Sequence, residues 1–410
     1  MEEINMHGMR PTLQGRPMRH LLLTVPLALT LGPAGLAAAQ ADGHDWQGGS
    51  TQTYSDPADW DEATAPGPGD YIEFGVDVTP TSFTTIISPG SQASIAQLGG
   101  GGDFAWNSPT VGGAGDLTIN DTFDDGLTGL VLKANTGLTI TGPAVTANFV
   151  DVGNDLFDPS RNYDEAGRLT VAGGGSLNVI GGGAEDFPGN LVISSGSDPI
   201  TFDTLRSNAT VTGAGSGLTT AGSVIAAFDA DFNVLDQATA TIAGDLELGS
   251  GSNAIVDNAS ATVTGAVVLR EFEFVMSVIV RNGGSLTATD FNYPETDSVQ
   301  GNNLQVTGGS TLTTTGFFTG EEEFDVTLTD STWNANVINL AGGSSLISTN
   351  STLNANSISV TGSSDVLIDG GSVTVTDGIF VDDGVVPQFP STLEIINGGS
   401  LIVGQDFDIV

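Results

Sequence analysis

The chain contains no cysteine, so it can form neither a disulfide framework nor a thiolate metal site, and thiols give no reading of its redox compartment. Bases are nearly as scarce. Nine Lys and Arg, with Lys133 the single lysine, stand against 49 Asp and Glu, giving a formal net charge of −40. Phosphate backbones and anionic membrane surfaces are held by Lys and Arg, so nucleic acid and such membranes are excluded as partners. Histidine is limited to His7, His20 and His44. Few stretches carry the Ala/Leu/Glu/Lys mixtures that favour helix, and no stretch after residue 41 is long and apolar enough to span a membrane.

What is present is glycine and short alternating runs. The 57 glycines are about twice the usual share. They lie among Val, Ile, Leu, Thr and Ser with no Gly-X-Y period, which excludes collagen and reads as strands divided by turns. At the N-terminus, Arg10, Arg16 and Arg19 precede "LLLTVPLALTLGPAGLAAAQA" (21–41), a basic region followed by an apolar region and a small-residue end. This predicts a signal peptide over 1–41, cleaved after Ala41 or alternatively after Ala39, and a secreted or surface-displayed product with no membrane-spanning segment in its mature part. Residues 42–100 hold Trp46, Tyr54, Trp60 and Tyr71 with Pro57, Pro66 and Pro68. They are expected to form an N-terminal cap and the first rungs, a face for stacking sugars being the alternative.

Over 101–410 one phrase returns: an alternating strand, Gly-Gly-Ser or a variant, and a second alternating strand. It reads "GRLTVAGGGSLNVIGG" (167–182), "LQVTGGSTLTTTGFF" (304–318), "INLAGGSSLIST" (338–349) and "LEIINGGSLIVGQDF" (393–407). "STWNAN" (331–336) and "STLNAN" (351–356) match at an offset of twenty residues. Each piece is too short to bury its own apolar face and must stack on its neighbours. Identity at a fixed offset predicts an all-β chain folded as a parallel β-helix (β-solenoid), a sandwich of hairpins being the alternative. At about 20–25 residues and about 4.8 Å per coil, 101–410 would make a rod on the order of 60–75 Å long. In that register Ile338 lies on Ile358 and Leu340 on Val360. Asn334 and Asn336 lie on Asn354 and Asn356 at a turn, where Asn tolerates left-handed φ. Acids repeated along such a coil are expected to crowd one another. The chain stops inside a fresh copy of the phrase, with Leu401, Val403, Phe407 and Ile409 alternating. The helix is therefore expected to be incomplete at Val410, with an open, apolar last rung.

The stretch "VDVGNDLFDPSRNYDEAGRLTVAGGGSLNV" (150–179) resembles the repeat of autotransporter passenger domains and PEP-CTERM-associated exported proteins, through Val152, Gly153, Gly167, Leu169, Thr170, Val171, Gly174, Gly175, Ser176 and Leu177. The resemblance implies a bacterial right-handed parallel β-helix displayed at or beyond the cell surface, adhesin-like or structural. Neither the β-barrel translocator nor the Pro-Glu-Pro sorting tail of those proteins is present in the sequence.

β-Helices also carry polysaccharide lyases and hydrolases, which need clustered bases, carboxylates or histidine. After residue 41 the bases are Lys133, Arg161, Arg168, Arg206, Arg270 and Arg281, too dispersed to form a groove for a polyanion. Arg270 and Arg281, flanking "EFEFVMSVIV", read as partners of Glu271 and Glu273. Paired Asp in "FDDG" (123–126) and "VDDG" (381–384) read as turns. With His44 the last histidine, no Ser-His-Asp set is expected, and no catalytic residue is assigned. The metal candidates are Asp229, Asp231 and Asn233, at the first three ligand offsets of an EF-hand loop, although Val234 stands where Gly belongs and Ala240 where Glu belongs. "GGAGDLTIN" (112–120) resembles one calcium nonapeptide. No cofactor is expected beyond adventitious Ca2+. The sequence thus reads as a non-catalytic structural or adhesive rod whose partners would be extracellular polysaccharide or a host or cell surface. A polysaccharide-active enzyme or carbohydrate-binding module on the same fold is the alternative.

Overall fold

The computed structural model describes strand segments between Gly43 and Ile119, then residues 130–132, 136–142, 144–153, 166–181, 189–195, 206–270, 275–293, 302–321, 323–382 and 390–409. The expected signal peptide lies outside these residues, as do Trp46, Tyr54 and Trp60. Ala41–Val410 gathers into one compact unit.

Every described element is a strand or a turn, and every strand pairing is parallel. One sheet has 14 strands, one from each coil, and the other has 22. Val326, Leu346 and Val366 lie on one another in consecutive coils, so the shortest coil is the expected twenty residues. Longer coils keep the register and place the surplus between strands. Leu169 stacks on Ala209, and segments 182–188 and 196–205 fall between those two positions. The larger sheet bends once per coil. Early coils give it two strands, as in Gly217–Thr220 and Val224–Ala226. Later coils give one long strand with a register shift at the bend, as between Val263 and Ala266 of Ser260–Leu269. The solenoid therefore has three faces: the 14-stranded sheet, and the two halves of the bent one.

Alternation along each strand sends every second side chain inward. Leu304, Val326, Leu346 and Val366 form one buried ladder, and Val306, Leu328, Ser348 and Ile368 form the next. Nothing in the structure explains the serine at 348, whose buried hydroxyl finds no partner. Ile338 lies on Ile358 and Leu340 on Val360, all buried, as the twenty-residue offset implied. Aromatic rings fill the coils just before. Phe291 stacks on Phe318 with centroids 5.0 Å apart, and Phe318 meets Trp333 edge-on at 4.8 Å. In strand Asp406–Ile409, Phe407 and Ile409 lie in register on Ile379 and Val381 yet remain 47% and 69% exposed.

Segment 42–100 already contributes rungs to both sheets. His44 pairs within strand Gly43–Asp45 against Ile72 of Tyr71–Phe74.

The asparagines need one correction. Asn334 and Asn354 stack as expected, and so do Asn336 and Asn356, but within strands Thr332–Leu340 and Thr352–Val360 rather than at a turn, and none has positive φ. Left-handed φ belongs instead to the corner that follows the 14-stranded sheet. Asp236, Asn258, Asn282, Asp330, Asn350 and Asn397 occupy it, with Gly213, Gly308 and Gly370 on other coils. The corner N–H points along the solenoid axis to the next coil. Asp330 donates to Thr349 O at 3.1 Å and Asn350 to Asp369 O at 2.9 Å. Only Gly, Asn and Asp adopt this conformation cheaply. Asn350→Val is expected to lower stability by about 1–2 kcal/mol and Asn350→Gly to leave it nearly unchanged, as read from urea midpoints.

Candidate functional site

The three metal candidates sort into a pair and an outlier. Asp229 sits at φ 45° just before strand Asp231–Leu235, on which Asp231 and Asn233 both face outward. Arg206 comes between the two acids. Its Nη2 donates to Asp231 Oδ1 at 2.8 Å, its Nε donates to Asp231 Oδ2 at 3.2 Å, and its Nη1 lies 3.8 Å from Asp229 Oδ1. Nη2 also donates to Gly251 O at 2.7 Å, so one guanidinium ties three consecutive coils. Asn253 Nδ2 donates to Asp231 Oδ1 at 2.8 Å. Asn233 takes no part, its Nδ2 reaching Thr210 Oγ1 at 3.4 Å. On an extended strand the offsets of an EF-hand loop do not converge, and here the positive charge beside the acids is Arg206. Among the described residues no group of three or more His, Asp or Glu is arranged to hold a metal ion. Asp116 of the expected nonapeptide lies on strand Asp116–Ile119.

Burial raises the carboxyl pKa of Asp229, against the lowering pull of Arg206, and Asp231 adds to the rise. A folded-state pKa above the unfolded value means stability that is complete below the unfolded pKa and declines as pH rises through the folded one. Asp229→Asn keeps the shape and tolerates left-handed φ. It is therefore expected to remove that decline, leaving the protein more stable than wild type at neutral pH but not at about pH 3, in urea unfolding followed across pH.

Arg270 and Arg281 behave alike. Arg270 pairs through Nε with Glu247 Oε2, and Arg281 Nε donates to Asp257 Oδ2 at 2.7 Å, each across to an adjacent coil. The expected partners Glu271 and Glu273 lie outside the described residues, as do the Asp-Asp-Gly residues of 123–126 and Asp383. Asp257 also accepts from Asn282 Nδ2 at 2.8 Å, and that bond first, with Arg281 second, holds its carboxyl below the usual range. Arg206 was not singled out in the sequence. Its three partners lie at separations fixed only by coil length.

The acids crowd one another less than expected. Asp45 is in register with Glu73, but from Thr110 onward no registered pair sets one carboxylate against another. Several acids meet a donor on an adjacent coil instead. Ser345 Oγ donates to Asp325 at 2.5 Å, Thr392 Oγ1 to Asp365 at 2.6 Å and Asn397 Nδ2 to Asp369 at 2.6 Å. Asp245 and Asp290 accept backbone N–H groups of Ala266 and Phe317 at 2.8 and 2.7 Å. Interleaving acids with donors lets a chain of such net charge stack at strand spacing.

From residue 239 to 376 one face carries no charge on its outward positions. The outward positions on the first half of the bent sheet come from "TATIA" (239–243), "SATVT" (260–264), "SLTAT" (285–289), "TLTTT" (311–315), "TWNAN" (332–336), "TLNAN" (352–356) and "SVTVT" (372–376). The first and third letters of consecutive segments are stacked in register, and the fifth letters follow at the bend. The result is three parallel ladders of Thr, Ser and Asn, broken only by Ala243. All are partly or fully exposed. Along the ladders Asn354 Nδ2 donates to Asn334 Oδ1 at 2.9 Å, Asn356 Nδ2 to Asn336 Oδ1 at 2.7 Å and Thr376 Oγ1 to Asn356 Oδ1 at 2.9 Å.

No family model, curated protein or solved structure matches this chain.

Proposed function

We propose that the chain is a non-catalytic rod, secreted or displayed at the bacterial cell surface, whose faces meet extracellular polysaccharide or a host or cell surface. The observation that supports this reading is the use made of the cations. Arg206, Arg270 and Arg281 each tie carboxylates on neighbouring coils, an arrangement that serves stacking and leaves those guanidinium groups engaged. A uronan lyase would instead need cations directed at an acidic substrate and a base beside its reacting carbon. The test is turnover on a panel of uronans and neutral glycans, run alongside fractionation of cells expressing the full chain. The expected result is no turnover, with protein in the medium or on the outer surface. Saturable cleavage of any glycan, or retention in the cytoplasm of cells with a working export system, would overturn it.

A further inference from the structure

We propose that the uncharged Thr/Ser/Asn face is an ice-binding surface: a lattice of hydroxyl and methyl groups that adsorbs to crystalline water. The first argument is periodicity in two directions. Along each ladder the side chains repeat at the strand spacing of about 4.8 Å, and across the ladders the first and third positions are two residues, about 6.6–6.8 Å, apart. Stacked in register over successive coils, as in Thr262, Thr287 and Thr313, they make a grid repeating in two directions that can match the spacings of water oxygens on a face of hexagonal ice. Few soluble ligands offer a partner that repeats in both directions.

The second argument is charge. The sequence carries 49 acids, yet within the segments from 239 to 376 none occupies an outward position of these ladders. The 14-stranded face, by contrast, carries Asp231, Asp257, Asp325, Asp365 and Asp369. A carboxylate orients water around itself and would break the lattice. A neutral face is the electrostatic complement of a neutral crystal. The third argument is rigidity. Threonine is stiff at χ1, so its hydroxyl and methyl are held in place before contact, and little freedom is lost on adsorption. The bonds from Asn354 to Asn334, from Asn356 to Asn336 and from Thr376 to Asn356 hold those amides in the same way. Methyls between hydroxyls suit a partner that cages apolar groups while bonding polar ones. No aromatic ring lies on these ladders, since the one in their segments, Trp333, points into the core. Stacking on sugar rings is therefore not what this face offers.

The proposal uses the rod but depends on neither its location nor its lack of catalysis. Glycan turnover would leave it standing, and failure on ice would leave the rod reading standing. The experiment grows ice slowly in a solution of the labelled full chain, measures the protein taken into the ice, and measures thermal hysteresis in parallel. Wild type is compared with Thr287→Lys in the middle ladder and with Thr327→Lys, which places the same charge on the 14-stranded face. Thr241→Lys is a second middle-ladder variant should the first fail to fold. The expected result is uptake and hysteresis by wild type and by Thr327→Lys, with about a tenfold loss in Thr287→Lys, the equivalent of about 1.4 kcal/mol, at an unchanged circular dichroism spectrum. Exclusion of wild type from ice would overturn the proposal, and so would equal loss in both variants. Retention on crystalline cellulose or chitin without uptake into ice would assign the face to a polysaccharide. A dimer by light scattering that Thr287→Lys dissolves, again without uptake, would assign it to a second copy of the chain.

Discussion

Ile358→Asp is expected to lower the unfolding free energy by about 4–5 kcal/mol, among the largest effects of any single substitution. Ile358 is buried, in register with Ile338 on one side and Ile379 on the other. A carboxylate there would lie between two aliphatic coils with no donor, and it would either remain ionised at high cost or protonate and still lack a partner. The control is its neighbour. Ser359 faces outward between Asn339 and Phe380, and Ser359→Asp should change stability by no more than about 0.5 kcal/mol. Because side chains alternate along a strand, a slip of one residue would exchange the two outcomes. Equal urea midpoints for the two variants, or the reverse order, would show that the register is wrong.

Trp333→Ala comes next, at about 3–5 kcal/mol. The indole is fully buried, makes an edge contact with Phe318, and donates its Nε1–H to Thr314 Oγ1 at 3.2 Å inside the core. Truncation leaves a cavity, removes an aromatic contact worth about 0.5–1.5 kcal/mol and strands the Thr314 hydroxyl. Trp333→Phe separates these terms, because it keeps most of the volume and loses only the hydrogen bond, and it should cost about 1–2 kcal/mol. A double variant of Trp333→Phe with Thr314→Val should recover much of that loss, since both polar partners are then gone. If Trp333→Ala melts within a degree of wild type, the ring does not sit in the core.

The repeat made much of the fold legible before any coordinates. "STWNAN" and "STLNAN" fix a coil of twenty residues, and alternation around Ile338 and Leu340 says which side chains face inward. The asparagine stacking followed from the same offset. Its location did not: the positive-φ corner belongs to Asn350 and Asp330, which precede the repeated Ser rather than following it. A left-handed residue is needed where the chain leaves one sheet for the next, and that point is set by where the strand ends, not by where asparagine is frequent.

The candidate sites were less legible. Asp229, Asp231 and Asn233 have ligand spacing only if the chain is a loop. On a strand the alternation keeps Asp231 and Asn233 on one side but two residues apart, and the near partner arrives from Arg206, twenty-five residues upstream. Intervals between stacked coils range from twenty residues to forty-one, so linear spacing cannot say which acid meets which base.

By itself, then, the sequence determined the class of fold, the shortest coil and the inward or outward sense of each strand residue, because these are local properties of alternation and turn chemistry. Only the tertiary structure decided which outward residues become neighbours. Stacking in register turned dispersed Thr and Ser of 239–376 into continuous uncharged ladders, set acids such as Asp325, Asp365 and Asp369 against donors, and brought Arg206 between two carboxylates. The reason is geometric. Along the strand, neighbours on one face are two residues apart, but across coils they are about 4.8 Å apart at sequence distances that the intervening segments alone control.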